Sequence, residues 1–566
     1  MKHFLGLAVL LSLAFTVVAD EPDTIVPLGK LDAFWRYSAA LGPFHEGGQA
    51  LDTVPDYMQK GHFAYRKRPY VKESLFADHL SMVRILGGFK DQKSLSDVRE
   101  RDLAYRNRDG KIAYRMHLLQ PRLQPYIENG YSTDLTIVLD NVPWCFPESP
   151  RAGSLGQSAP PQDPEEWYRF IQAVCEELVR ILGRDQANQL RFRVGTENGG
   201  RQRFDGTHEE YVFHYQNTAA AVRSVLPGVD IGCYNISGVS VVGVRERHNV
   251  RAFELAEHCV NEQNVVDGQS STPFDWVAYS RYFRPGDDPL AHAQICHAVW
   301  EVFEDIAPEL EGVSREIHEF GIAPWGEVAK GVFSSAEPGA LGAALTCQMM
   351  LRLREVGIQR LWHWGVLDRY RNQHNQLDYV PQGIAWLMSV LDAMRGGEAF
   401  LLEPSTISTV GTDQLALAVK LEDRVMILIS SYNRDIANHS SEFVTFSLPH
   451  ELGRLAGKPV NAVRLNRDSS IHDQIRRDLS AAGLLEEDFV SRPDRLGTVR
   501  QMGIGRLAEK MVGEAQSKYE QLWVDSLTYQ PITHDSCVIE SMGFETTVTV
   551  ELGPPELLVL GIPNAK

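Results

Sequence analysis

Cysteine is scarce and unpatterned in this chain. Seven are spread over 566 residues, at Cys145, Cys175, Cys233, Cys259, Cys296, Cys347 and Cys537, with no CxxC. This excludes a disulfide-stapled miniprotein and a cysteine zinc site. An odd number cannot pair completely within one chain; most read as buried small hydrophobes, with one or two disulfides left open. Positive charge is short as well, with 56 Lys and Arg against 74 Asp and Glu and a net charge of −18. Such a chain lacks the basic footprint of a nucleic-acid binder. Beyond the N-terminus no stretch holds 18 successive apolar residues, so the mature protein is expected to have no membrane span. Repeats and low-complexity segments are missing too. So is the Gly-rich phosphate loop of an open doubly wound sheet, for which Gly87-Gly88 is too sparse.

The N-terminus carries an address. Lys2 and His3 precede an apolar run over residues 4–18, which closes on Val17-Val18-Ala19 before Asp20. This predicts a signal peptide, 1–19, and an exported protein, periplasmic or secreted. An uncleaved anchor is the alternative, against which the run is short.

Between about 30 and 395, short apolar runs alternate with longer amphipathic ones. Eight runs read as strands: 33–41, 82–86, 135–139, 190–196, 229–234, 274–280, 313–319 and 358–364. Helical stretches lie between them at 164–183, 207–225 and 336–356. The first repeats apolar residues at Trp167, Phe170, Ile171, Val174, Leu178 and Ile181, and Thr207 with Glu210 reads as a capping box opening the second. Strand and helix alternating eight times predict a parallel (β/α)₈ TIM barrel over 20–396. After Gly396-Gly397, short alternating strands at 405–410, 415–421, 424–432, 442–448, 546–552 and 557–560 predict a β-sandwich over 397–566. Helical segments 473–483 and 504–520 make a helical insertion in it. The fold class is therefore α/β, a barrel followed by a sandwich.

Reacting groups of such barrels sit at the C-terminal ends of the strands. Strand four ends in Thr196-Glu197-Asn198 and strand seven in Ile317-His318-Glu319. Two carboxylates across the barrel mouth suit glycoside hydrolysis. Alternation on strand seven puts Ile317 and Glu319 on one face. An inward apolar Ile317 favours Glu319 over Glu316, and places Arg315 inward near the floor. The same count turns Arg193 inward on strand four. His318 and His363 are expected to face the helix layer, and no metal or other cofactor is expected.

The same residues resemble glycoside hydrolase family 39, the β-xylosidase and α-L-iduronidase family. Phe34-Trp35-Arg36-Tyr37 is similar to its first strand and Val83-Arg84-Ile85-Leu86-Gly87 to its second. Phe192 to Glu197 with Phe204-Asp205-Gly206-Thr207 resembles its acid/base segment. Asp275 to Tyr282 resembles strand six, Glu319-Phe320-Gly321 the nucleophile segment and Trp362-His363-Trp364 strand eight. The resemblance implies a retaining glycosidase with Glu197 as acid/base and Glu319 as nucleophile, a β-sandwich after the barrel, and first residues that join that sandwich. Three departures stand out. Thr196 replaces the asparagine that in the family holds the sugar 2-hydroxyl, Ser280 replaces a strand-six histidine, and Gly195 replaces an aromatic.

The expected substrate-binding set is Arg84, Trp144, Thr196, Asn198, Tyr279, Arg281, Tyr282, Trp325 and Trp364. Tyr279 or Tyr282 is expected to bond Glu319, and the tryptophans to floor and wall a sugar subsite. Arginines 84, 201, 203, 281 and 369 follow strand ends, which fits an acidic sugar such as a uronate; loop solubility is the plainer reading. The substrate is thus a carbohydrate of unspecified identity. The rival readings are a silent carbohydrate-binding or exopolysaccharide-assembly protein and a polysaccharide lyase. Asn235-Ile-Ser and Asn438-His-Ser match the glycosylation sequon.

Overall fold

The computed structural model describes residues 25–32, 35–38, 82–88, 102–128, 135–153, 156–237, 249–322, 339–364, 369–370, 377–378, 383–405, 411–483, 511, 514–533, 536–542 and 545–564. The expected signal peptide and Trp325 lie outside the described residues, and of Trp364 only the backbone is described.

Each of the eight expected segments contains a strand: Trp35–Ser38, Met82–Arg84, Thr136–Val138, Arg191–Val194, Asp230–Cys233, Trp276–Phe283, Ser314–Ile322 and Arg360–Trp364, called one to eight in this order. All pair in parallel, in two sheets of four, ordered two-three-four-five and one-eight-seven-six. A parallel bridge between Ile236 and Tyr279 joins strand five to strand six; there the Ile236 N–H donates to the Ala278 carbonyl at 2.8 Å.

The helices form where the sequence caps them. Asp163 accepts from the N–H groups of Glu165 and Glu166 to open Pro164–Leu182. Thr207 and Glu210 make the full capping box of His208–Val225. The first helix buries Trp167, Phe170, Ile171, Val174 and Leu178, the expected stripe.

The two faces of the strands differ in chemistry. Phe192, Val194, Val277, Tyr279 and Ile317 belong to the large apolar core shared with the helices. On the opposite face, strand seven meets strand four through charge. Glu316 accepts from Arg191 Nη2 at 2.6 Å, and His318 Nδ1 lies 3.3 Å from Arg193 Nη1. The expectation of an inward Ile317 therefore fails, as does that of His318 in the helix layer. The interior is built from charged and polar groups that pair across it, and the apolar side chains go to the thicker, helix-covered face. Arg193 does turn inward. Arg315 does not; it pairs with Glu304 and lies over Trp300, both on the helix Pro289–Ile306.

The C-terminal part is a seven-stranded sheet, in which Ile25–Lys30 pairs antiparallel with Glu398–Leu402, followed in order by Thr412–Lys420, Arg424–Asn433, Glu556–Pro563, Asn461–Leu465 and Gln530–Pro531. A three-stranded sheet, Glu442–Leu448, Glu545–Leu552 and Cys537–Met542, covers one face. Leu402, Ala418, Ile427 and Leu560 pack under it. Their neighbours Leu401, Leu417, Leu428 and Val559 join the main core, so these strands are apolar on both faces instead of alternating. Helices Ile471–Ala481 and Gln516–Ser526 fall between Asn461–Leu465 and Gln530–Pro531 in the chain. All seven cysteines are unpaired thiols. Asn235, in one sequon, is fully buried and donates to Ser280 Oγ, which leaves it no access to glycan. Among the described residues no helix is long and apolar enough to cross a membrane.

Candidate active site

Strand four ends in a tight turn that only a few residue types allow. Gly195 has φ +90°, and a Cβ there would lie 2.6 Å from the Asn198 amide. This position can carry no aromatic, because the Asn198 side chain fills the space and its Oδ1 accepts the Thr196 N–H at 2.7 Å. Asn198 thus closes the turn and is not placed as a sugar ligand. Glu197 follows in the left-handed region at φ 51°, among the described residues the one non-glycine residue with positive φ, a conformation that costs energy and is held by its surroundings.

Strand seven reaches the same place by an irregularity. Its register against strand six shifts between Ile317 and Glu319, pairing Ile317 with Tyr279 and Glu319 with Ser280. The extra residue breaks the alternation, so His318 and Glu319 both leave the apolar face. Glu319 is 4 % exposed. Its Oε2 accepts from the Tyr282 hydroxyl at 3.1 Å, and its Oε1 has no hydrogen-bond partner. Glu197 Oε2 accepts from Arg203 Nη2 at 2.7 Å.

The two carboxyls act on each other. Burial and the charge of Glu197 push Glu319 up to about 7, against the pull of Arg193, Arg203 and Arg84. Tyr282 is held well above its ordinary value by burial and by both carboxylates, so it stays a donor. Beneath the pair lie two guanidiniums. Arg84 Nη2 donates to Asp140 at 2.7 Å, and Arg193 Nη2 donates to Thr196 Oγ1 at 2.7 Å. Deeper still, burial favours the neutral form of Glu316, but Arg191 and the hydrogen bond of His318 outweigh it and hold the carboxyl well below the usual range. Burial pushes His318 down to about 4. Arg193 only donates, so His318 Nδ1 is the acceptor and its Nε2 carries the proton toward Glu316, 2.6 Å away.

The expected residues thus divide. Glu197, Glu319, Tyr282, Thr196 and Arg84 come together. Tyr279 does not: it points into the helix layer, its ring 5.1 Å from that of Trp300. Arg281 lies near Cys296 of that helix and Asp287, and burial pushes its guanidinium down. Trp144 is 7 % exposed, and its backbone N–H donates to Asp102 at 2.7 Å. Arg201 lies 3.6 Å from Asp205, its side chain 75 % exposed. Sequence reasoning missed the contact of Arg203 with Glu197, the carboxylates Asp140 and Asp102, and the pair Glu316–His318. Asp102 is pushed up to about 7 by burial and clamps two loops, accepting from the Gly88 and Trp144 N–H groups. A single signal was available for Arg203, its place among the strand-end arginines.

Known proteins similar to this chain include the following three. An α-1,4-L-rhamnosidase of Formosa agariphila is 22 % identical over 305 residues, which is 52 % of this chain and 59 % of the relative's own length. The monomeric β-xylosidase of Caulobacter crescentus superposes with a TM-score of 0.59 at 13 % identity, over 95 % of this chain and 98 % of the other. The bacterial orthologue of human α-L-iduronidase gives 0.59 at 12 % identity, over 95 % and 82 %. These two likenesses are of fold. Residues 23–324, more than half of the chain, match the family described as glycosyl hydrolases family 39; with the fold it shares, the chain belongs to that family.

Proposed function

We propose that the protein is a retaining glycosidase in which Glu197 is the acid/base and Glu319 the nucleophile. The observation that carries this reading is the meeting of two carboxylates from the ends of strands four and seven in one buried cluster, close enough that the charge of Glu197 raises Glu319. Glu319 attacks the anomeric carbon while Glu197 protonates the departing oxygen, giving a covalent glycosyl-enzyme. Water deprotonated by Glu197 then releases the sugar with retained configuration. Tyr282 steadies the nucleophile through Oε2, leaving the unpartnered Oε1 for attack. Retention requires carboxyl groups about 5–5.5 Å apart.

Burial and the charge of Glu197 favour the proton on Glu319, which must be ionised to attack.

The two four-stranded sheets are read as one closed (β/α)₈ barrel. The strand five–six bridge and the contacts between strands four and seven across the centre support closure. The barrel occupies 20–396 and the sandwich 397–566, to which Ile25–Lys30 contributes a strand. The export signal of 1–19 makes the enzyme periplasmic or secreted, acting on a carbohydrate outside the cytoplasm. The relatives' names give the first sugars to try: L-rhamnosides, xylosides and iduronides.

A panel of aryl glycosides and polysaccharides, run beside Glu197→Gln and Glu319→Gln, tests the reading. One glycoside is cut, each variant loses about 10²–10⁴-fold, and the first product seen by NMR keeps the anomeric configuration. Inertness of the wild type across neutral and acidic glycans would favour a carbohydrate-binding role; an unsaturated product absorbing in the near ultraviolet would favour a lyase.

A further inference from the structure

We propose that Arg203 couples the acid/base to the leaving-group subsite: its Nη2 holds Glu197, and its Nη1 donates to an oxygen of the sugar bound on that side. The inference rests on the roles proposed above for the two glutamates.

Two observations carry it. Nη2 bonds Glu197 Oε2 at 2.7 Å, with side chains only 22 % and 16 % exposed. Nη1 is buried and has no hydrogen-bond partner among the described residues. A buried N–H without an acceptor is costly, and beside the acid/base an oxygen of the substrate is the acceptor inferred for it. The guanidinium also stands on a fixed base. The Arg203 N–H donates to the Gly200 carbonyl at 2.8 Å, and the Asn249 N–H to the Gly199 carbonyl at 2.7 Å. Phe204 packs edge-on against Tyr211 with ring centroids 5.0 Å apart. The backbone that carries Arg203 is therefore tied to its neighbours on both sides.

The place of the contact decides which sugar it meets. Tyr282 holds Glu319, at the end of the pair where the anomeric carbon is attacked. Arg203 holds Glu197, at the end where the leaving oxygen takes its proton. The charged and titratable groups facing the pair are Arg203 on the turn after strand four, Arg193 below it, Arg84 and Asp140 from strands two and three, Tyr282 from strand six, and the two glutamates themselves. Among the described residues Arg203 alone is in direct contact with the Glu197 carboxyl. Its charge lowers Glu319. Removing it thus moves the acid limb of the pH profile, set by Glu319, upward.

The test uses the full chain and three probes made from the sugar that the glycoside panel identifies: its 4-nitrophenyl glycoside, its 2,4-dinitrophenyl glycoside and a disaccharide. For Arg203→Met the acid limb of kcat/KM with the 4-nitrophenyl glycoside is expected to rise, because the charge that lowers Glu319 is gone. Cleavage of the disaccharide falls about tenfold or more, while the dinitrophenyl glycoside, which needs no proton and places no sugar there, changes less than about twofold. Arg203→Lys keeps the limb, because the charge remains, and still loses the disaccharide, because the second N–H group is gone. An unmoved limb in the Met variant, or equal losses on all three probes, overturns the proposal. Should the Met variant not fold, a Lys variant with the wild-type disaccharide rate overturns it equally. Glu197→Gln and Glu319→Gln run alongside: full activity in either sinks the two-carboxylate reading itself, whereas their inactivity beside wild-type-like Arg203 variants sinks only the role of Arg203.

Discussion

At the scale of single residues, the role proposed for Glu319 sets the expected pH behaviour. A nucleophile must be ionised, and burial with the charge of Glu197 holds this one at about 7. The acid limb of kcat/KM is therefore expected near pH 7, well above the ordinary glutamate range. In Glu197→Gln, assayed with a dinitrophenyl glycoside, that limb moves down, because the neighbouring negative charge is gone. A limb that stays at 7 in the variant would mean that burial alone raises the group. The same residue costs stability. The folded state binds its proton more tightly than the unfolded chain does, so stability falls as pH rises from about 4.5 through 7. Glu319→Gln escapes this and should melt higher than wild type at pH 8, by an equivalent of at most about 3 kcal/mol. The gap should close near pH 4.5 in paired thermal melts. That Glu197 and Glu319 would meet was legible from their places at strand ends. Arg203 was not, since nothing in Gly199-Gly200-Arg201-Gln202-Arg203 tells which arginine folds back on Glu197 and which stays in solvent.

Strand seven shows what a sequence pattern leaves out at the scale of elements. Alternation assigns faces correctly only while the register is regular and the inside of the sheet is apolar, and Ser314–Ile322 breaks both conditions. Its apolar Ile317 faces the helices, Glu316 and His318 face the centre, and the shift before Glu319 returns that carboxylate to the site. Glu319 was thus reached through an argument that put Ile317 on the wrong side. The central charges are consequential. Arg191 donates to Glu316 at 2.6 Å and lies 4.2 Å over the ring of Trp276. Arg191→Met leaves Glu316 with the Ser314 hydroxyl at 2.6 Å, a neutral histidine and, as its remaining cation, the more distant Arg360, 3.5 Å away. The expected loss is about 3–5 kcal/mol, the usual effect of removing one partner of a buried pair, read as a lower urea midpoint with an unchanged slope. The double variant Arg191→Met/Glu316→Gln should recover part of it. Full additivity of the two single losses would show that the two side chains are not coupled.

The whole molecule is held by a sheet that serves two cores. Apolar runs such as Leu415-Ala416-Leu417-Ala418-Val419 are too continuous for a sheet with one wet face, and both their faces are in fact covered. The run was visible in the sequence; that its second face meets a helix of the first half was not, because nothing local records what a distant helix packs on. That helix, Ala340–Glu355, is buried on nearly every side, and its Gln348 ties the halves. The amide Nε2 donates to the carbonyls of Asp413 at 3.1 Å and Ser430 at 3.0 Å, while Ser430 Oγ donates back to the Ala344 carbonyl. Elsewhere Trp386 Nε1 donates to the Ser526 carbonyl at 2.9 Å, and Arg434 bridges Asp288 and Asp413. A core shared in this way should melt as one unit, so calorimetry of the full chain is expected to show a single transition. Gln348→Leu keeps the volume but removes the donor from two buried carbonyls, at a cost of about 1–3 kcal/mol. It should lower Tm by a few degrees without splitting the peak. Two peaks, with the first one shifted by Gln348→Leu and the second fixed, would mean that the catalytic part stands without its sheet and that the shared core is a contact between independent domains.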